Sequence, residues 1–160
     1  VKHKGALLGD RIRMKDWYLH PSVYIRSLAS RLHLGGLVKS THKIVKFLKS
    51  TGFDIVILET VGVGQSEVEV ASVANPTLLV LVPEAGDDIQ MMKSGLFEVA
   101  NIFVVNKSDR ADAKKFLSHL KISLNDRIQS GEKIGIIETV ANTGQGIEEL
   151  DNCINLFLTQ

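Results

Sequence analysis

The sequence of 160 residues is poor in several things, and each shortage excludes something. It has one cysteine, Cys153, so no disulfide can close within a chain and no thiolate metal cluster can form, which points to a reducing compartment. It has no excess of charge of one sign. Nineteen Lys and Arg stand against 18 Asp and Glu, which leaves no electrostatic ground for a polyanion-binding face and argues against nucleic acid as a partner. Long apolar runs are missing too: residues 78–83 and 102–105 fall far short of the ~20 needed to span a bilayer, so no membrane role is expected. The first residues, Val1-Lys2-His3-Lys4 before Gly-Ala-Leu-Leu-Gly, do not run into the sustained apolar stretch of a secretory signal. Prolines number only three, and there is no Pro/Ser-rich linker, charge block or internal repeat, so the residues read as parts of one domain. A 44% hydrophobic and 23% charged composition is that of an ordinary globular protein.

Three β-branched runs stand out: Asp54-Ile-Val-Ile-Leu-Glu59, Thr77-Leu-Leu-Val-Leu-Val82 and Asn101-Ile-Phe-Val-Val-Asn106. They are continuous rather than alternating, as strands covered on both faces are. Weaker strand candidates lie at residues 5–8, 23–26 and 133–138. Between the runs, residues 37–50, 111–128 and 146–158 have helical spacing, and Gly52 stands where a C-cap glycine would. Strands alternating with helices predict an α/β fold with a mainly parallel, doubly wound sheet and flanking helices. Ligands of such sheets sit at the carboxyl ends of the strands.

The third strong run ends in Asn106-Lys107-Ser108-Asp109, the Asn-Lys-x-Asp pattern with which GTP-binding proteins read guanine. A carboxylate such as Asp109 accepts from both N1–H and the exocyclic amine of guanine, a pair that adenine does not offer. The Lys107 stem can lie along the base, and the Asn106 amide can tie the loop to the phosphate-binding region. A base of the wrong pattern leaves buried polar groups unpaired at ~1–3 kcal/mol each. About thirty residues on, Thr139-Val-Ala141-Asn-Thr-Gly144-Gln-Gly146 supplies a small-residue turn in which the Ala141 N–H is the expected donor to guanine O6. The first strong run ends in Glu59-Thr-Val-Gly62-Val-Gly64-Gln65-Ser66-Glu67. An acid at that place can hold Mg²⁺ through water, and a glycine such as Gly62 can bring its N–H to a γ-phosphate. A P-loop, Gly-x-x-x-x-Gly-Lys-Ser/Thr, is absent. Gly35-Gly-Leu-Val38-Lys39-Ser40-Thr41 mimics one, but its glycine positions fall on His33 and Val38, where the phosphate nest cannot form as usual. The isolated histidines, His3, His33, His42 and His119, have no ligand spacing, and Cys153 reads as a core residue of the last helix.

These segments resemble the methylmalonyl-CoA mutase-associated GTPases of the MeaB/ArgK type, a signal-recognition-particle-like branch of P-loop GTPases. The resemblance rests on residues 5–14, 24–27 and 33–36, on the nonapeptide at 59–67, on Gly86-Asp-Asp-Ile-Gln90 with Lys93 and Gly95, and on residues 105–109. It implies that Asp10 and Glu59 organise Mg²⁺ and the attacking water, that Asn106, Lys107 and Asp109 bind the guanine of GTP or GDP, and that Asp87 and Lys93 couple the nucleotide state to a partner. An acidic residue that some members carry before the Phe/Tyr-Ile-Arg segment is His20 here, with Asp16 four positions earlier.

The implied activity is GTP hydrolysis by a chaperone that gates cobalamin loading or protection in an adenosylcobalamin-dependent acyl-CoA mutase, methylmalonyl-CoA mutase first among them. The family's N-terminal helices and Walker A loop are expected upstream of Val1 and its dimerisation helices beyond Gln160. Residues 1–160 are thus expected to be a partial GTPase domain, nearly inactive by itself and homodimeric when intact. The expected compartment is the cytoplasm, or the mitochondrial matrix in a eukaryote. Two other readings stay open: a kinase or ATPase of the ArgK transport-associated type, and a non-catalytic guanine-nucleotide-binding module.

Overall fold

A computed structural model of the chain describes residues 14–28, 41–60, 67–83 and 95–159. The chain is divided into two compact units, Val1–Val61 and Gly62–Gln160.

The second unit is built on three parallel strands, β1 (Leu78–Leu81), β2 (Ile102–Asn106) and β3 (Gly135–Thr139), hydrogen-bonded in that order. Leu78 lies opposite Ile102, Ile102 opposite Gly135, and Asn106 opposite Thr139. The central place of β2 follows from its sequence. Ile102, Phe103, Val104 and Val105 are apolar without interruption and at most 3% exposed, as a strand between two helical layers must be.

On one face, Leu79, Leu81, Phe103 and Val105 pack against Leu96 and Phe97 of α2 (Gly95–Val99), Ala100, and Phe116 and Leu120 of α3 (Ala113–Ser123). Phe97 meets Phe103 edge to face with ring centroids 5.0 Å apart. On the other face α5 (Ile147–Leu158) lies along β2 and β3. It comes closest at Gly135, where a Cβ would stand 2.6 Å from Cys153 Sγ. The α/β class, the parallel sheet and the helices on both its faces agree with the sequence expectation. β1 is covered on one face only: Leu78 and Val80 are 36% and 56% exposed.

The helix expected over 111–128 is divided at Leu124 into α3 and α4 (Asn125–Gln129). Leu124 is fully buried in the core, which pins the junction. From α4, Arg127 reaches the carbonyl oxygens of Phe97 and Ala100, supplying donors that the end of α2 lacks, and pairs with Glu132.

In the first unit α1 (Thr41–Ser50) buries Thr41 and Val45 while Lys43, Lys46 and Lys49 face solvent. Gly52, at φ 92°, takes the left-handed conformation expected of a C-cap glycine. Tyr24 and Phe53 rings approach to 6.3 Å. The strands expected at 23–26 and 54–59 are not formed; both segments run without a ladder, and Ile55 and Ile57 are 59% and 85% exposed. A β-branched run becomes a strand only where a neighbour takes up its backbone hydrogen bonds, and no described segment does so here. The strand candidate at 5–8 and the first residues of the P-loop mimic, 35–40, lie outside the described residues. Among the described residues no helix is long and apolar enough to cross a membrane.

The contact of α5 with β3 is testable. Gly135→Ala overpacks Cys153 and is expected to lower unfolding free energy by about 1–3 kcal/mol. Adding Cys153→Ala should recover most of that loss; denaturant titration of the single and double variants that gave strictly additive losses would refute the close packing.

Candidate functional site

Because β2 and β3 run parallel with Asn106 opposite Thr139, the loops that follow them leave side by side. The first turns sharply at Lys107, whose φ of 57° is in the left-handed region. The Ser108 N–H donates to the Thr139 carbonyl at 3.1 Å, and the Arg110 N–H to the Lys107 carbonyl at 3.1 Å. The second loop folds back on itself. The Val140 N–H donates to the Gln145 carbonyl at 3.0 Å, and the Thr143 N–H to the Val140 carbonyl at 3.0 Å. Gly144 and Gly146 allow this with φ of 82° and 77°, and at Gly146 any Cβ would collide with the Glu138 carbonyl oxygen.

The Asn106 side chain joins the loops. Its Oδ1 accepts from the Thr139 hydroxyl at 3.2 Å and from the Ala141 N–H at 3.1 Å. A backbone N–H can only donate, so the amide oxygen must face Ala141, which leaves the Nδ2 hydrogens without a partner among the described residues. Asp109 is exposed and its carboxylate has no hydrogen bond or ion pair among the described residues. Lys107 is exposed beside it. The paired strand ends therefore present an open carboxylate acceptor and an amide donor within one braced pair of loops.

The structure thus brings together Asn106, Lys107, Asp109 and Ala141. The Ala141 N–H, expected to serve a base carbonyl, is held by Asn106, so a ligand oxygen has to share or displace that bond. Glu59 lies in a segment of the first unit without regular secondary structure, exposed and without an ion pair among the described residues. Asp10, Gly62, Asp87 and Lys93 lie outside the described residues. Among the described residues no three His, Cys, Asp or Glu side chains converge on a metal position. Mg²⁺ needs only one or two carboxylates besides water and phosphate, so a three-residue cluster is not required for it.

Sequence reasoning assigned no role to Thr139, the buried residue whose hydroxyl and carbonyl both hold the loop that follows β2. The signal available was a threonine closing a strand directly after the exposed Glu138, at the position whose side chain turns inward. Cys153 is no nucleophile candidate: burial pushes its thiol pKa up, and Lys133 only partly opposes this. His20 accepts from the Ser22 N–H at 3.2 Å and meets the Trp17 ring at a tilt of 55° with centroids 5.6 Å apart, a local packing role.

Comparison with known proteins fits this geometry. Residues 1–160 match the family described as methylmalonyl-CoA mutase-associated GTPase MeaB. A relative from Pyrococcus horikoshii, which carries a provisional GTPase name, is 49% identical over 150 residues, covering 91% of this chain and 47% of the relative. The GTPase ArgK of Escherichia coli is 42% identical over 105 residues, 66% of this chain and 32% of the relative. The mouse protein named methylmalonic aciduria type A homolog, mitochondrial, is 34% identical over 163 residues, 98% of this chain and 39% of the relative. The chain spans about half the length, or less, of the curated relatives it matches.

The two glycines of the second loop separate strain from collision. Gly146→Ala combines a left-handed φ with a clash against Glu138 and is expected to cost about 3 kcal/mol or more. Gly144→Ala, which meets nothing within 4 Å, bears only the conformational cost, about 1 kcal/mol. Equal losses in thermal or denaturant unfolding would contradict the described fold-back.

Proposed function

The chain belongs to the methylmalonyl-CoA mutase-associated GTPase (MeaB) family, and from this premise we propose that the intact protein binds and hydrolyses GTP to gate cofactor loading or protection in an acyl-CoA mutase. The observation that carries the reading is the Asn106 amide, which clasps the Asn-Lys-x-Asp loop to the Ala141 turn while the Asp109 carboxylate stays open. In this reading Asp109 takes the N1–H and exocyclic amine of guanine, Lys107 lies along the base, the Asn106 amide donors face the nucleotide, and the Ala141 N–H is shared with O6. The strong discrimination comes from the edge pattern itself, since adenine leaves the carboxylate facing an acceptor.

Hydrolysis in this class is mostly positioning and charge neutralisation. Glu59 and Asp10 are the proposed acids for Mg²⁺, which when bound neutralises phosphate charge, and Gly62 is the proposed γ-phosphate contact. Asp87 and Lys93 are proposed to pass the nucleotide state to the mutase. Methylmalonyl-CoA mutase is the proposed partner and adenosylcobalamin the guarded cofactor; the family description and the name of the mouse relative support this choice. A homodimer, working in the cytoplasm or a mitochondrial matrix, completes the proposal.

The sequence contains no Gly-x-x-x-x-Gly-Lys-Ser/Thr, so the groups that wrap the phosphates are not supplied by residues 1–160. The isolated 160-residue chain is therefore expected to bind GDP weakly and to release phosphate from GTP at background rate only. Ordinary turnover by the purified chain, abolished by Glu59→Ala, would overturn that expectation. Base choice is checked separately by titrating the chain with GDP and ADP: GDP should bind the more tightly, and preference for ADP would favour the ATPase reading instead. Asp109→Asn replaces an acceptor by a donor, which opposes the guanine amine and suits the C2 carbonyl of xanthine. GDP affinity should fall by about tenfold or more while affinity for xanthosine diphosphate rises.

A further inference from the structure

We infer that Thr139 is the positioning residue of the base-reading loop, the group that sets where Asp109 stands and therefore how strictly guanine is chosen. This rests on the guanine-binding reading above. Thr139 closes β3 and is 1% exposed, although it is polar and sits at the mouth of the candidate site. Buried polar groups persist where their hydrogen bonds are satisfied, and here both of its groups are used on one neighbouring loop. The hydroxyl donates to Asn106 Oδ1 at 3.2 Å, and the carbonyl accepts from the Ser108 N–H at 3.1 Å.

These two bonds fall on either side of Lys107, the described non-glycine residue with positive φ. A left-handed conformation at a lysine is unfavourable alone and persists where its flanks are held. Asp109 follows Ser108 directly and has no hydrogen bond or ion pair of its own among the described residues. Its place is inherited from the Ser108 anchor and from the turn at Lys107. Threonine suits this role because its β-branch restricts χ1 and keeps the hydroxyl aimed. The same hydroxyl shares Asn106 Oδ1 with the Ala141 N–H, so it helps to fix the Asn106 side chain that joins the two loops.

The test uses Thr139→Val, which keeps the shape and removes only the O–H, beside Thr139→Ser, which keeps the hydroxyl. Amide chemical shifts of the full 160-residue chain are titrated with GDP, IDP and ADP. IDP lacks the exocyclic amine, so the GDP-to-IDP affinity ratio reports the Asp109 contact alone. Loss of one aimed hydrogen bond predicts for Thr139→Val a GDP affinity lower by about tenfold and a GDP-to-IDP ratio lower by about threefold or more. Thr139→Ser should keep both within about twofold of the parent. If the valine variant does not fold, Thr139→Ala removes the hydroxyl without adding bulk, and the same ratio is read there. An unchanged ratio, whether affinity holds or falls equally for GDP and IDP, overturns the inference, since mere loss of packing does not distinguish the two bases. A parent chain that takes ADP as well as GDP overturns the guanine reading itself, and that failure is seen before any variant is compared.

Discussion

The parallel pairing of β2 with β3 is the constraint on which the candidate site depends. It sets Asn106 beside Thr139, and from that single pair both loops take their positions. Register here is held by burial rather than by the loops. A shift of one residue would turn Phe103 and Val105 out of the core they share with Phe97, Phe116 and Leu120, and would bring Ile102 and Val104 to the wrong face. The strand register from which the Asp109 loop departs is therefore held mainly by hydrophobic burial.

The described part of the site divides labour in a way that the chemistry explains. Groups that only hold shape are satisfied internally: the Thr139 hydroxyl, the Asn106 oxygen, and the backbone of the Val140–Gln145 turn. Groups suited to meet a ligand, the Asp109 carboxylate and the Asn106 amine, are without partners among the described residues. Preorganisation of this kind lowers the ordering cost on binding, because the loops need not search for their conformation.

Much of this was legible in the sequence, and the exceptions share a cause. Residues 77–82 and 101–106 were readable as strands from their short continuous apolar runs, and 133–138 more weakly from Ile134, Ile136 and Ile137. Residues 54–59 have the same pattern yet form no ladder, since a pattern states willingness to pair and not the presence of a neighbour. The break at Leu124 was hidden because the apolar spacing continues through it, and so do helical hydrogen bonds on either side. Asn106, Lys107 and Asp109 were found because their types and spacing are local. Thr139 was passed over because its partner lies 33 residues away and meets it only through strand register. Gly146 was legible as a turn residue, but its closeness to the Glu138 carbonyl was not.

β1 has one strand partner among the described residues and an uncovered face at Leu78 and Val80. Such an edge is a template for unwanted strand addition between molecules. The chain contains three prolines, and Pro76 and Pro83 bracket this strand. Proline cannot donate to a ladder, so it limits how far an added strand could zip along the edge. The third proline, Pro21, belongs to the first unit, so both prolines of residues 62–160 stand beside this one strand, where each sets a limit to how far an added strand could follow its backbone.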